Sequence, residues 1–471
     1  MLVMRYLLEP RNSDPSILPG LELVARQILQ KLRNLYTSCM KIGTEAVAGS
    51  APQDHRNVPS LCPNSRGEHL EAIEEGLNRT GLSLTLSYFN KLGLNTMAHL
   101  TPAMDTENSS KTVLALLEGG AGLNGLEHYL DQKIMDMYTS AVAKMFGLVM
   151  GSEAENDEPT MATVTNISPE MILPSHWEDI AQHVVDFERR LAESFTDTGL
   201  LLDDLLPADV KRTHSIVVIS PSYQERLEVL LQTTQPKTLQ AYFVWTAIRR
   251  LVQNLDPIYD LPLQQFEAAS KHKPAKAIPD RWRQCVEVVN WNLGQIGRYF
   301  FMTERYKDGS HELVTEMVDS LRSIYETILP SLSWLDPSTT AGAFEKLKAL
   351  VILAGFSPTS SDAQSSESLQ SYYEDYHVHP DQFFENDLRF LQWRSALEYR
   401  FLEGPLDRVT NMPFSPQTVN AYFEETGNSI LLPVGMLQPA FFHVAYPEYV
   451  NYGALDSIIG HEFTDEHKGV V

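Results

Sequence analysis

The chain has 471 residues, 43% of them apolar and 21% charged, an ordinary composition for a soluble globular protein long enough for two or more domains. Its formal net charge is −24, which argues against nucleic acid or an anionic membrane surface as a partner, because both need a cationic face. No run approaches the roughly 20 apolar residues of a membrane helix, and the start, Met1-Leu2-Val3-Met4-Arg5, is too short and too soon charged for a signal peptide.

In chain order, Leu21–Met40 reads as an amphipathic helix, with Leu21, Val24, Ile28, Leu32, Leu35 and Cys39 at steps of three and four after Pro19-Gly20. Leu130–Gly147 repeats the pattern through Ile134, Met137, Ala141 and Met145. Helical periodicity continues at Pro174–Ala192, Leu239–Leu255, Asp280–Phe301 and Glu312–Leu329, the last stopped by Pro330. Stretches rich in Pro, Ser, Asn and charge at 48–67, 151–169, 271–279 and 357–368 read as loops. Clear strand signals come late: Thr418–Phe423 and Ser429–Val434 flank a polar turn and form a hairpin-like unit, with Pro433 marking an edge or a strand end. A last helix is expected from Gly453 to about Lys468. Three cysteines, Cys39, Cys62 and Cys285, are too few for a disulfide scaffold, and their count alone suggests buried thiols.

The final blocks carry more than periodicity. Asn420-Ala421-Tyr422-Phe423, Leu432 through Phe442, Asn451-Tyr452-Gly453 and Ile458-Ile459-Gly460-His461-Glu462-Phe463-Thr464 follow one another in the order and spacing of the neprilysin and endothelin-converting enzymes. Upstream, Leu35–Met40, Thr238–Trp245, Arg281–Cys285, Ser333–Asp336 and Phe383–Asn386 match further family segments. The chain therefore resembles the neprilysin family of zinc metalloendopeptidases over nearly its whole length. The resemblance implies a mainly α protein: a large helical domain, residues 1–388, followed by the start of an α/β zincin-like (thermolysin-like) catalytic domain, residues 389–471.

Two His residues at i and i+4 on one helical face bind zinc, and the Glu between them takes a proton from the metal-bound water. The resemblance places His461 as the first ligand and Glu462 as the base. The second His position holds Asp465, a carboxylate that can itself ligate zinc. His467 lies at i+6 from His461 and points to another face. The family's third ligand, a Glu on a later helix, has no counterpart in Glu466–Val471. Asn420 and Ala421 sit where the family grips substrate backbone, by adding the peptide to a strand edge. Asp456 replaces a family glycine.

The expected function is thus that of a zinc metalloendopeptidase acting on oligopeptides, inactive as written for want of ligands, and reading as a truncated product. The alternatives are a non-catalytic peptide-binding fragment or a pseudo-enzyme. The family implies an extracellular or membrane-anchored ectodomain, whereas the sequence itself, with no signal peptide or anchor, suggests the cytoplasm. The resemblance also implies a Cys39–Cys285 disulfide, nominally worth ~4–5 kcal/mol, with Cys62 free. The sequons at Asn78, Asn108 and Asn166 should lie on exposed segments.

Overall fold

The structure is a computed structural model and describes residues 8–9, 23–42, 79–104, 112–150, 175–194, 216–218, 221–271, 280–305, 309–355, 365–400, 402, 417–424 and 428–465. Cys62 and the three sequon asparagines fall outside these residues.

Helices dominate, as the periodicity predicts. Helix α1 (Leu23–Lys41) buries Ile28, Leu32, Leu35 and Cys39, the stripe read from the sequence. Helix α2 (Arg79–Lys91) leads into strand β1 (Ala98–Met104), which pairs antiparallel with β2 (Thr112–Glu118); β3 (Ile216–Val218) joins β2 in parallel. This three-stranded sheet has no counterpart among the expected elements. Val113, Leu114, Ala115 and Leu116 are all buried, so β2 is an unbroken apolar run without the alternation that marks a half-exposed strand.

Helices α3 (Leu126–Leu130), α4 (Gln132–Met150), α5 (Ser175–Glu193), α6 (Pro221–Thr233), α7 (Pro236–Leu251) and α8 (Pro257–Ser270) pack with that sheet into the largest core. On α4 the buried face is centred on Tyr138, Val142, Phe146 and Val149, while Ile134 and Met137 are only half-buried. The centre of that core is polar. Glu188 on α5 is fully buried and accepts hydrogen bonds from Tyr138 (2.9 Å), Trp245 (3.1 Å) and Tyr129 (3.3 Å). Arg249 of α7 lies 3.8 Å from the same carboxylate and donates to the Ala121 carbonyl at 2.9 Å. Tyr129 in turn accepts from the backbone N–H groups of Gly122 and Leu123. A Cβ at Gly122 would overlap the Tyr138 hydroxyl, so the loop can approach the network only with glycine there. Burial pushes the Glu188 carboxyl up, opposed by Arg249 and the three donors.

A second core joins α1 to α9 (Arg281–Asn292), α10 (Gly294–Arg305), α13 (Ser366–Tyr372) and α14 (Phe383–Arg400). The single helix expected over 280–301 is two helices, because Leu293 leaves helical geometry to enter the core and Gly294 is a poor helix former. The Cys39–Cys285 bridge is present within this core, with Cα atoms 5.6 Å apart. Arg281 donates to the Cys39 carbonyl at 3.1 Å, and Asn386 donates to Ser38 at 3.1 Å and to the His379 carbonyl at 2.7 Å. The family blocks around Cys39, Cys285 and Phe383–Asn386 thus meet in one place.

The third core contains α11 (Ser310–Ile328), α12 (Pro337–Ala349), strands β4 (Val351–Ala354), β5 (Tyr422–Glu424) and β6 (Ser429–Leu432), a π-helical turn (Tyr452–Asp456) that follows the short α15 (Glu448–Asn451), and α16 (Ser457–Asp465). Asp336 caps α12 by accepting from the N–H groups of Ser338 and Thr339. The sheet order is β4-β6-β5, with β6 parallel to β4 and antiparallel to β5. The β5–β6 pair was expected; β4, a short run far upstream, was not. Ser365 caps α13 by accepting from the Ser368 N–H, so the loop expected over 357–368 gives way to a helix at Ser366. No helix among the described residues is long and apolar enough to cross a membrane.

Candidate active site

Strand β5 lies at the edge of its sheet, paired with β6 on one side only among the described strands. Asn420 precedes it and is exposed, while Ala421 is buried in the third core. Gln417, just before, donates to the Gly294 carbonyl at 2.9 Å and so ties this segment to α10. A Cβ at Gly435 would collide with the carbonyls of Gln417 and Thr418, so glycine there is what lets the segment cross the end of β6. On the other side of β6, the Asn428 side chain donates to the Lys346 carbonyl at 2.8 Å and fixes the end of α12.

Helix α16 packs against both β5 and β6. Ile459 and Phe463 are fully buried on its inner face, Glu462 is 8% exposed and His461 is exposed. Tyr325 of α11 holds this helix in place. Its hydroxyl donates to the Gly460 carbonyl at 2.9 Å, lies 2.8 Å from the Thr464 hydroxyl, and its ring stacks on Phe463 with centroids 5.2 Å apart. No motif in α11 singled out Tyr325; only the fold gives it this place. The loop before the helix is fastened by Asn451, which donates to the His443 carbonyl and accepts from the His443 N–H. That is a physical reason for asparagine in the Asn451-Tyr452-Gly453 block.

The structure therefore sets the Asn420–Ala421 segment and the His461–Glu462 pair on elements packed around β6. The Asp465 side chain and His467 lie outside the described residues. Among the described residues no group of three His, Cys, Asp or Glu side chains could hold a metal. A zinc centre needs at least three protein ligands, and the described donor set does not supply them.

Asp456 introduces a conflict just before the helix. It is 8% exposed, one carboxylate oxygen has no hydrogen-bond partner among the described residues, and burial raises its pKa to about 6. A folded-state pKa above the unfolded value of 3.8 makes stability fall as pH rises from about 4 to about 6. Asp456→Asn is expected to remove that slope and to stabilise the chain at pH 7 by about 1–2 kcal/mol, allowing for partial solvation. Thermal unfolding of both proteins from pH 4 to 8 checks this; parallel profiles would contradict it.

Residues 2–357 match the amino-terminal model, and residues 420–468 the second model, of peptidase family M13. Human endothelin-converting enzyme 1 is 26% identical over 375 residues, 76% of this chain and 48% of that protein. A Locusta migratoria endothelin-converting enzyme homolog is 26% identical over 455 residues, 92% of this chain and 61% of the relative. The chain thus spans about half to three fifths of the length of these relatives. The Mycobacterium tuberculosis zinc metalloprotease solved with an inhibitor superimposes with a TM-score of 0.73 at 21% identity, over 93% of this chain and 66% of that one. PepO from Lactobacillus rhamnosis also gives 0.73, at 15% identity, over 98% and 70%. The fold is theirs. On the matching models, the chain belongs to peptidase family M13, the neprilysin and endothelin-converting enzyme family of zinc metalloendopeptidases.

Proposed function

We propose that this 471-residue chain binds oligopeptides along strand β5 and does not cleave them. The observation that carries the reading is the edge position of β5, with exposed Asn420 at its start and α16 packed behind it. A peptide laid along that edge gains main-chain hydrogen bonds from a preformed strand, and the Asn420 amide offers both a donor and an acceptor to one peptide group. His461 and Glu462 are the family's first zinc ligand and base, and Asp465 stands in the second ligand's place. Zinc, if taken up, would be held through His461 and Asp465, two ligands where hydrolysis needs three. The division into a helical unit, residues 1–388, and a catalytic unit, residues 389–471, belongs to the same proposal, adjusted by shared cores: the buried side chains of 309–355 join the second unit, and those of 389–402 the first. Extracellular or membrane-surface residence is part of it too, supported by the Cys39–Cys285 bridge, since disulfides persist in oxidising space.

A second reading is favoured by the chain's shorter span: His461 and Glu462 serve an active zinc site that residues outside these 471 complete, with Asp465 as a carboxylate ligand.

The binding claim is tested by fluorescence anisotropy with a labelled, end-capped peptide. Loss of the Asn420 amide removes one or two hydrogen bonds to the peptide, so Asn420→Ala should weaken binding about tenfold, ~1.4 kcal/mol. Equal affinity for the two proteins would sink it.

A further inference from the structure

A cavity of about 350 Å³ opens where α2, β1, α9, α10, α13 and α14 converge. Four amide side chains, Asn90, Asn95, Asn292 and Gln295, share its wall with aromatic rings that include Trp291, Tyr372 and Trp393. Trp291 is 55% exposed, unusual for a residue of its size and apolarity. Trp393 is fixed by stacking on Tyr373, centroids 5.0 Å apart, and by edge contact with Tyr372 at 5.5 Å.

The charges around the cavity cancel. Arg394 pairs with Glu398 at 2.7 Å and Arg250 with Asp387 at 3.5 Å. Burial lowers the His99 pKa to about 4, so that imidazole is neutral. An anionic or cationic ligand would find no net counter-charge here. Amides donate and accept alike, which suits peptide groups, and aromatic walls suit apolar side chains.

The wall of the cavity is tied to the segment that leads into the proposed peptide-binding edge. Gly294 and Gln295 line it, and the Gly294 carbonyl accepts the hydrogen bond from Gln417. From Gln417 to Asn420 is three residues, at most ~10 Å of chain. An extended peptide advances ~3.4 Å per residue, so a peptide leaving β5 on the Gln417 side needs at most about six residues beyond Asn420 to span the separation from Gly294.

We infer that this cavity is a distal subsite for the uncharged portion of an oligopeptide that extends beyond β5, receiving an aromatic or amide side chain against Trp291 and Gln295. The inference rests on peptide binding at β5 and adds to it a preference for longer peptides.

The test uses the 471-residue chain and end-capped peptides: a tetrapeptide core, and octapeptides extending that core by four uncharged residues including Phe, toward either end. Affinities are read from anisotropy, and Trp291 occupancy from tryptophan fluorescence, with Trp291→Phe as the spectral control. One octapeptide should bind about tenfold tighter than the tetrapeptide and perturb the Trp291 signal. Trp291→Ala and Gln295→Ala should each remove most of that advantage while leaving tetrapeptide affinity unchanged. Circular dichroism verifies that both variants remain folded. Asn420→Ala should weaken both lengths; if it changes neither, the β5 reading fails, independently of the cavity. The subsite is overturned if no octapeptide outbinds the core, if Trp291→Ala and Gln295→Ala leave the advantage intact, or if a neutral disaccharide perturbs Trp291 and the octapeptides do not.

Discussion

Replacing Arg249 by methionine is expected to destabilise the chain by about 3–5 kcal/mol, the usual consequence of removing one member of a buried ion pair. Glu188 is fully buried, and Arg249, 3.8 Å away, is its salt-bridge partner among the described residues. The hydrogen bonds from Tyr129, Tyr138 and Trp245 would remain, but they solvate the carboxylate without neutralising it. Methionine also removes the bond to the Ala121 carbonyl, releasing the loop between β2 and α3. Adding Glu188→Gln to Arg249→Met should recover part of the loss, because an amide in that place carries no charge to bury and can still meet the two tyrosines and the tryptophan. Denaturant unfolding of the wild type, both single variants and the double variant gives the coupling. A double variant as unstable as the sum of the singles would show that the pair does not act as a unit.

The Cys39→Ala, Cys285→Ala double substitution should lower stability by about 5 kcal/mol, from the entropy that a long closed loop removes from the unfolded chain. The cysteines are 246 positions apart, and both are fully buried between α1 and α9. Alanine leaves no unpaired polar atom in the core, so the measured loss reports mainly the cross-link. Unfolding with and without a reductant should separate the wild type from the variant under oxidising conditions only. A difference below about 1 kcal/mol would mean that the unfolded chain keeps these helices together without the bridge.

Much of this was legible in the sequence. The α1 stripe from Ile28 to Cys39 has helical spacing, and the structure buries it. The matching blocks, each short, acquire physical roles together: Cys39, Arg281, Cys285 and Asn386 converge in one core, Asp336 caps α12, and Asn451 fastens the turn before α16. What was not legible was tertiary. Strand β2 is apolar on both faces, so period two is absent from it. Strand β4 is four residues long and pairs with β6 across more than seventy positions. The place of Tyr325 depends on α11 lying against α16, and no local pattern encodes that. The polar cluster around Glu188 gathers residues from four helices and a loop, spread from Gly122 to Arg249 in the sequence. His461, Glu462, Asn420 and Ala421 were legible as motif positions, and what the fold adds is that α16 packs against β5 and β6.

The most direct test of the account is hydrolysis itself. The purified chain and its Asp465→His variant are incubated with a quenched-fluorescent oligopeptide and excess zinc. The peptide should bind and neither protein should cleave it, because restoring the second histidine still leaves the metal one protein ligand short within these 471 residues. Chelator-sensitive cleavage by the unaltered chain, abolished by Glu462→Gln, would contradict it.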